Sequence, residues 1–437
     1  MRNRLRLRSV AVLRTAQAWT LIAGVGGMAG IGLASRGAAA QESAVVSRVL
    51  MDARVKAALA VAKSGEPRVL EEMVRFCEVP APPFKESARG DVLRQAFVAA
   101  GLRNVRVDRV GNVLGDRPGA GPRPRLVVAA HLDTVFPEGT PVKITRDRQI
   151  FRGPGIGDNC RGLAVLVGIA RALGEANVQT PGTVTFVANV GEEGLGDLRG
   201  VRALFNETLK GQIDRFVSID GPGLHVTHQS VGSHRYRITF KGPGGHSFGD
   251  FGLPNPANAL GRAVARVAEI RPGGLPRTTF NVGRIGGGTS VNAIPSEAWM
   301  EIDMRSTDEA ALAGLDAQIQ AAIDAGVAEE NRRWTREGRV TVTRQLVGDR
   351  PAASLPVHAP IVETVRAAGK ALLGQIVPLS EGSTDANLPM SLNIPAVTIG
   401  AGGEGEGAHA TTESFDATDS WKGTQNALLV TIALAQR

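Results

Sequence analysis

Five residues of types that bind zinc are spread along the chain: His131, Asp158, Glu193, Asp220 and His409. Imidazole and carboxylate groups are common zinc ligands, and one carboxylate can bridge two ions because it carries two oxygens. A catalytic zinc has about three protein ligands and one open position. Five residues with one shared would supply three ligands to each of two ions. The pattern therefore predicts a two-metal site that activates water for hydrolysis.

Taken singly, each of these residues has an ordinary structural explanation. An Asp after a strand often caps a helix, and a Glu-Glu pair is commonly a solvated part of the surface. A lone His near a strand end is more often a packing residue than a ligand. Their joint placement favours the metal site, because independent coincidences at so many strand ends are improbable.

Several of these residues directly follow apolar runs that are typical of buried strands. The runs are Arg125–Ala130 before His131, Thr183–Val190 before Glu192 and Glu193, and Arg215–Ile219 before Asp220. Strands that alternate with helical segments predict an α/β fold with a largely parallel sheet, covered by helices on both faces. Ligand sites in such sheets lie beyond the carboxyl ends of the strands. We therefore expect these side chains to meet at one edge of the sheet.

The order of elements changes between residues 226 and 346. Strand and helix patterns there follow the order βαββαβ, which is typical of a ferredoxin-like domain. The apolar α/β pattern then resumes and continues to the end of the chain. The sequence thus predicts a catalytic domain in two parts, residues 45–225 and 347–437, with a ferredoxin-like domain inserted between them.

Positive charge is concentrated at the start of the chain. Residues 1–40 contain six Arg and no acid, and without them the net charge of +8 would fall to +2. A body so close to neutral lacks the basic surface that binds phosphate backbones, so no nucleic-acid partner is expected.

The same first 40 residues resemble an export signal. An Arg-rich start precedes an apolar stretch, Ala16–Ala34, and the small residues Ala38, Ala39 and Ala40 form a cleavage site. We expect a cleaved signal peptide and a periplasmic or secreted protein. The alternative is an uncleaved segment that attaches the chain to a membrane.

Cys77 and Cys160 are the two cysteines of the sequence. One disulfide is possible in an oxidising compartment, but two cysteines do not make a disulfide scaffold. We expect two separate buried or half-buried thiols. Cys160 lies close to Asp158, and we expect it to pack near the metal site without binding the metal.

Eight short motifs occur in an order that resembles the M20 zinc peptidases. They are HLDTVFPEG (131–139), GPGIGDNCRG (153–162), GEEG (191–194), SIDG (218–221), GGHSFGD (244–250), GGGTSVNAIP (286–295), MRSTD (304–308) and GAHATTE (407–413). The family includes glutamate carboxypeptidases, peptidase T-like aminopeptidases, carnosinase-type dipeptidases and amino-acid deacylases. The resemblance extends from about residue 45 to the end of the chain.

The resemblance implies a role for each candidate ligand. His131 and Asp220 would hold one zinc ion, Glu193 and His409 the other, and Asp158 would bridge them. Cobalt or manganese would also suit these ligand types.

Further catalytic roles follow from the residues beside the ligands. By the resemblance, Glu192 would be the general base, and the peptide bond between Asp158 and Asn159 would be cis. Asp133 lies two residues after His131, on the same side of an extended chain. It could orient His131 by accepting the second ring N–H.

The inserted domain would complete the site. By the resemblance, His246 would reach into the active site of a partner subunit and stabilise the oxyanion, so we expect a homodimer formed through this lid and dimerisation domain. Asn292 and Arg305 would bind a substrate carboxylate, for which the planar guanidinium is well suited. The simpler interpretation of Arg305 is an exposed residue at a strand end.

The expected function is that of an exported two-zinc exopeptidase that hydrolyses small peptides. An N-acyl-amino-acid deacylase of the same family is the first alternative, and a non-catalytic periplasmic binding protein is the second. The sequence leaves open the substrate, the native metal and the end of the peptide at which cleavage occurs.

Overall fold

The computed structural model describes residues 26–436, with side chains from residue 39 onward. The predicted signal segment, residues 1–40, falls mostly outside this range, and only its last part is described, as the start of a helix. Across residues 26–436, no helix combines the length and the apolar character needed to cross a membrane.

Helices make up much of the described chain. The α-helices are α1 (Gly26–Met51), α2 (Ala53–Ser64), α3 (Glu66–Cys77), α4 (Ser87–Ala99), α5 (Gly162–Glu175), α6 (Arg199–Ala203), α7 (Pro256–Ala268), α8 (Glu309–Arg333), α9 (Pro360–Leu373), α10 (Asn387–Ser391) and α11 (Trp421–Leu434). Two π-helical turns, Ile156–Arg161 and Leu204–Thr208, lie beside α5 and α6, and a 3-10 turn spans Gly194–Gly196.

The strands fall into a large sheet and three smaller ones. They are β1 (Arg103–Val107), β2 (Val113–Arg117), β3 (Arg125–His131), β4 (Thr145–Asp147), β5 (Ile150–Arg152), β6 (Thr183–Asn189), β7 (Arg215–Ile219), β8 (Val226–Ser230), β9 (Gly232–Lys241), β10 (Gly245–His246), β11 (Thr278–Gly287), β12 (Ala293–Ile294), β13 (Glu297–Ser306), β14 (Thr341–Arg350), β15 (Ala353–Ser354), β16 (Leu379–Gly382), β17 (Ala396–Ile399), β18 (Glu404–Glu406) and β19 (Ser414–Asp416).

Nine strands form the large sheet, in the order β1-β2-β6-β3-β7-β17-β8-β15, and β16 also pairs with β8. The middle strands β6, β3, β7 and β17 run parallel, whereas β1 and β2 on one side and β8 and β15 on the other add antiparallel pairs. The predicted α/β fold with a largely parallel central sheet is confirmed.

The apolar runs of the sequence are explained by burial on both faces of this sheet. In β3, Leu126, Val128 and Ala130 contribute to the larger core, beneath helices such as α5. Val127 and Ala129 point to the opposite face and join a second core. Because successive side chains of a strand alternate in direction, a strand covered on both faces must be apolar throughout.

The sequence predicts a single helix at residues 45–62, but this segment is divided by Asp52. This residue has an extended backbone, and its carboxylate accepts the N–H of Arg54 at 2.7 Å, which caps α2. Asp is a favoured N-cap residue because its side chain satisfies an N–H group that has no partner inside the helix. A single predicted helix is therefore observed as α1 and α2.

The inserted domain has the four-stranded antiparallel order β11-β13-β9-β14, with the connection order βαββαβ. Its sheet begins at Gly232 and ends at Arg350, which differs from the predicted limits of 226 and 346. The difference arises because β8 pairs with β15, β16 and β17 of the large sheet.

One face of the inserted sheet is covered by α7 and α8. In β13, Ala298, Met300, Ile302 and Met304 point into this core, together with apolar residues of both helices. The residues between them point to the other face, which is only half-buried. Arg305 therefore belongs to the half-buried open face, which α7 and α8 do not cover.

Cys77 and Cys160 form a disulfide, which corrects the prediction of two separate thiols. The cysteines are 83 residues apart, and both are fully buried. Cys77 ends α3, and Cys160 lies in the π-helical turn before α5. The pairing could not be inferred from sequence because it depends on how α3 packs against this turn.

A disulfide that closes so long a loop should stabilise the protein substantially. The loss of chain entropy in the unfolded state corresponds to about 4 to 5 kcal/mol for a loop of this length. We expect the double variant Cys77→Ala/Cys160→Ala to lose about 2 to 5 kcal/mol of unfolding free energy. Denaturant unfolding followed by circular dichroism measures this loss. An unchanged unfolding midpoint would show that the cross-link is not a stabilising element.

Candidate metal centre

The large sheet brings the candidate residues to one edge. His131 ends β3, Glu192 and Glu193 follow β6, and Asp220 follows β7. These three strands are neighbours and run parallel, in the order β6-β3-β7. Their carboxyl ends therefore meet at the same edge, as the positions of the residues after the apolar runs predicted.

A first group of ligand-type atoms surrounds the His131 ring. Its Nε2 lies 3.0 Å from Oδ1 of Asp158 and 3.6 Å from Oδ1 of Asp220. The three residues together have the geometry of a candidate metal site. His131 is buried, whereas the two carboxylates are partly exposed.

A second group surrounds the His409 ring. Its Nε2 lies 3.0 Å from Oε1 of Glu193 and 3.2 Å from Oδ2 of Asp158. These three residues also form a candidate metal group. His409 has a φ of 68°, in the left-handed region that a residue with a side chain seldom adopts, and such backbone strain is concentrated at functional sites.

The two groups share one carboxylate. Asp158 presents Oδ1 to His131 and Oδ2 to His409, so a different oxygen faces each imidazole. This is the arrangement of a bridging ligand, and the donors are the nitrogen and oxygen types that zinc accepts. Each group also contains one further carboxylate, from Asp220 or Glu193. The residues therefore fit a pair of divalent cations.

The pKa shifts of the clustered residues also fit a site for cations. Burial opposes protonation of His131, but the carboxylates of Asp133, Asp158 and Asp220 outweigh it and raise its pKa well above the usual value. Hydrogen bonds to Asp158 and Glu193 raise the pKa of His409 to about 10. Burial would raise the pKa of Asp158, yet its contacts with both imidazoles lower it. The carboxylates thus attract positive charge to the positions between them.

The loop that carries Asp158 is held by a buried acid, Glu413. Its Oε1 accepts the N–H groups of Gly157 at 2.8 Å and Asp158 at 2.9 Å, and its Oε2 accepts that of Gly155 at 2.8 Å. Burial, followed by the charge of Asp158, raises the pKa of Glu413 to about 7. The peptide bond between Asp158 and Asn159 is cis, as the family resemblance implied.

Asp133 organises the site differently from the prediction. His131 Nδ1 hydrogen-bonds the backbone carbonyl of Asp133 at 3.1 Å, and the carboxylate lies farther away, at 3.7 Å. The carboxylate oxygens instead accept the N–H groups of Glu192 at 3.1 Å and Glu193 at 2.7 Å. Asp133 therefore connects the His131 loop to the Glu192–Glu193 loop.

Glu192 lies beside the two groups and is paired with Arg350. The Arg350 guanidinium donates to Oε1 of Glu192 at 3.0 Å and also contacts the Glu192 backbone carbonyl. Both side chains are buried. Burial raises the pKa of Glu192 well above its usual value, although Arg350 opposes this effect. A carboxyl group with a raised pKa is suited to accept and return a proton.

The inserted domain brings His246 and Asn292 together. Strands β10 and β12 pair, so that His246 lies opposite Ala293, next to Asn292. Nδ1 of His246 accepts the N–H groups of Phe248 at 3.2 Å and Gly249 at 3.1 Å. Because Nδ1 acts as an acceptor, the ring proton is assigned to Nε2, which is then a hydrogen-bond donor. Among the described residues, no hydrogen bond or ion pair joins His246 or Asn292 to the candidate metal ligands.

Arg305 lies on the open face of the inserted sheet and shares an acid with another Arg. Asp303 accepts the Nε–H of Arg305 at 2.7 Å and that of Arg235 at 2.8 Å, one at each oxygen. Arg235 also donates to the carbonyl of Gly194 at 2.6 Å, directly after Glu193. Arg305 thus lies on the side of the inserted domain that faces the loop carrying Glu193.

Three buried residues near the site were not predicted from the sequence: Arg89, Arg350 and Glu413. Glu413 lies in the GAHATTE motif, four residues after His409, and its place in that motif was a usable signal. Arg350 is the last residue of β14, and Arg89 lies in α4. Nothing in either local pattern predicts that the side chain is buried.

The model of the family described as Peptidase family M20/M25/M40 matches residues 127–431. The chain belongs to this family. The matched region contains every candidate ligand and the whole inserted domain, and the resemblance seen in the motifs is confirmed. As a member of the M20 family, the protein is a hydrolase of the peptidase and amidohydrolase type.

Relatives and solved structures agree with this assignment. A succinyl-diaminopimelate desuccinylase of Corynebacterium glutamicum is 24% identical over 346 residues, which are 77% of this chain and 89% of that protein. The aminopeptidase PepT of Bacillus cereus has a TM-score of 0.66 and 22% identity, over 85% of this chain and 99% of that one. The YXEP protein of Bacillus subtilis, described as a dinuclear metal binding peptidase from the M20 family, has a TM-score of 0.62 and 17% identity, over 85% and 99% of the two chains.

We expect the substitution Glu413→Gln to weaken metal binding about tenfold, since residues that orient metal ligands commonly contribute this much. A Gln side chain has one acceptor oxygen, and its NH₂ group would face backbone N–H donors. Competition with a chromophoric zinc chelator measures the affinity. Glu404→Gln, an exposed position on β18, is the matched control, because β18 pairs with β19, which begins directly after Glu413. Equal affinities for the two variants would show that Glu413 does not position Asp158.

Proposed function

We propose that the protein is an exported two-zinc exopeptidase that cleaves amide bonds in small peptides. The observation that supports this most directly is the division of Asp158 between two imidazoles, because two cations that share a carboxylate are a standard arrangement for hydrolysis. In this proposal His131 and Asp220 hold one ion, Glu193 and His409 hold the other, and Asp158 holds both.

Zinc ions bound there would polarise the substrate carbonyl and lower the pKa of the attacking water. Glu192 acts as the general base in the same step. Arg350 binds its Oε1, and Oε2 has no partner among the described residues, so Oε2 is the atom that takes up the proton of the water. Glu192 then returns this proton to the leaving amine.

His246 supplies a hydrogen bond to the oxyanion of the tetrahedral intermediate. Its Nε2–H is suited to this role because Nδ1 is already an acceptor for two backbone N–H groups. Within the described part of one chain, His246 makes no hydrogen bond or ion pair with the candidate metal ligands, which is consistent with a homodimer in which the ring enters the partner's site. The inserted domain would then serve both as a lid and as the dimer interface.

Recognition of a free carboxylate would make the enzyme an exopeptidase. Only the Nε–H of Arg305 is engaged by Asp303, and the side chain is 41% exposed, so the outer edge of its guanidinium can receive a substrate carboxylate. Asn292 is also exposed, beside His246, and contributes a second polar contact.

Deacylation of N-acyl amino acids is the second candidate function. It is favoured by the desuccinylase relative from Corynebacterium glutamicum, whose name describes removal of an acyl group from an amino acid. A peptide and an N-acyl amino acid present the same amide bond and the same free carboxylate to the site.

Export is supported by the disulfide between Cys77 and Cys160. Structural disulfides persist in oxidising compartments and are rare in the cytosol, where thiols are kept reduced. The Arg-rich, apolar start of the sequence agrees with a periplasmic or secreted location.

We expect the zinc-loaded mature protein to hydrolyse dipeptides or tripeptides with a free carboxylate faster than their amidated forms. A panel that also includes N-acetyl amino acids, read by amine release, separates peptidase from deacylase.

The variant Glu192→Gln should retain its metal and lose activity by about a hundredfold or more, because it cannot take up the proton. Glu175→Gln, an exposed position at the end of α5, is the control. Near-normal turnover by Glu192→Gln would remove that residue from the mechanism.

A subunit-mixing experiment tests the homodimer. Glu192→Gln and His246→Ala are expected to be inactive separately. In a mixed dimer, the subunit with an intact Glu192 receives an intact His246 from its partner, which restores one site of two. Random co-assembly should therefore recover about a quarter of the wild-type activity if dimers form isologously. No recovery in a preparation shown by light scattering to contain mixed dimers would place His246 outside the partner's site.

A further inference from the structure

The disulfide is attached directly to the loop that carries Asp158. Cys160 lies two residues after Asp158, in the same π-helical turn, and its partner Cys77 is the last residue of α3. Both sulfurs are in the core, away from solvent. Any displacement of the Cys77 segment is therefore transmitted through covalent bonds to the backbone beside the shared carboxylate.

Arg89 ties the same segment to the His131 loop. Its guanidinium is 1% exposed and donates to the carbonyls of Val79 at 2.9 Å, Cys77 at 3.3 Å and Leu132 at 2.8 Å. Leu132 is the residue that follows His131. One planar cation thus holds the segment after α3 against the strand end that carries a candidate ligand.

The disulfide and Arg89 together link the loop that carries Asp158 to the loop that carries His131. This path runs from Asp158 through the disulfide to Cys77, then through Arg89 to Leu132 and His131. Across the site, the side chains of His131 and Asp158 are 3.0 Å apart. We propose that the Cys77–Cys160 disulfide and Arg89 form a positioning brace, which sets the spacing of His131 and Asp158 and makes metal binding depend on oxidation of the two cysteines.

The brace acts on the part of the loop after the cis bond, which Glu413 does not hold. Glu413 holds the N–H groups that precede the cis bond, at Gly155, Gly157 and Asp158. On the other side of that bond the disulfide holds Cys160. The next residue, Arg161, pairs with Glu66 at 2.8 Å, at the opposite end of α3. The helix is therefore fastened to the loop at both of its ends, and the disulfide is the connection nearer to Arg89.

Reduction of the disulfide would break this link between the two loops. A dithiol reductant breaks the Sγ–Sγ bond and places one hydrogen on each sulfur, while the dithiol becomes its own disulfide. Cys77, to which Arg89 is hydrogen-bonded, would then no longer be cross-linked to Cys160, and the spacing of the loops that carry His131 and Asp158 would be less restricted. The chain would therefore bind its metal ions tightly only after it has left a reducing compartment. This inference rests on the proposed two-metal site.

The test compares zinc affinity in three full-length variants and the oxidised wild-type protein, by competition with a chromophoric chelator. Cys77→Ala/Cys160→Ala removes the disulfide, and Arg89→Met removes the second connection while the disulfide remains. We expect each to bind at least one zinc ion tenfold or more weakly than the wild type. The control is Arg171→Met, which breaks the buried pair of Arg171 with Glu72 between α5 and α3, at 2.5 Å, away from the ligand loops. It should lower thermal stability and leave zinc affinity unchanged.

Circular dichroism and hydrogen exchange separate a loosened loop from an unfolded protein. We expect native dichroism in both brace variants, with faster exchange confined to residues 153–161 and the region after β3. If the double-cysteine variant does not fold, Arg89→Met decides the outcome. Wild-type zinc affinity in a folded brace variant would overturn the brace while leaving the proposed function intact. An oxidised wild-type protein that binds no divalent metal would overturn the proposed function and the brace together.

Discussion

Negative charges that converge on one point must be compensated, and this constraint governs the carboxyl edge of the large sheet. Asp158, Glu193 and Asp220 approach two imidazole rings within 3.0 to 3.6 Å. Protons can supply the positive charge, as the raised pKa values of both His residues indicate. A pair of divalent cations supplies more of it at the same positions. The surrounding contacts, from Asp133 and Glu413, hold backbone N–H groups toward this cluster and so keep its loops from separating.

The parts of the fold that could be predicted are those set by local periodicity. Unbroken apolar runs identified β3, β6 and β7, because strands buried on both faces have no polar positions, and the parallel arrangement then placed the residues after them at one edge. The βαββαβ order of strand and helix patterns likewise identified the inserted domain. Asp158 and His409 lie in loops, and they were placed in the site through the family motifs.

The features that were missed depend on contacts between distant segments. The disulfide joins residues 83 positions apart, and no local pattern distinguishes a paired cysteine from a buried thiol. Arg89 belongs to α4, where an Arg is ordinarily a solvated residue, yet three backbone carbonyls surround its guanidinium. Burial lowers the pKa of Arg89 to about 10, and the charge of Asp133 opposes that effect. The burial of such a residue can be recognised only in the tertiary structure, which shows the backbone carbonyls that accept its N–H groups.

The pair formed by Arg350 and Glu192 connects the inserted domain to the large sheet. Arg350 is the last residue of the inserted sheet, whereas Glu192 follows a strand of the large sheet. A rotation of the inserted domain about its attachment points must either carry the Glu192 carboxylate along or pull the guanidinium away from it. In the proposed mechanism, the orientation of the inserted domain would therefore affect the position of the Glu192 carboxylate, so that closure over a substrate and alignment of the base would occur together.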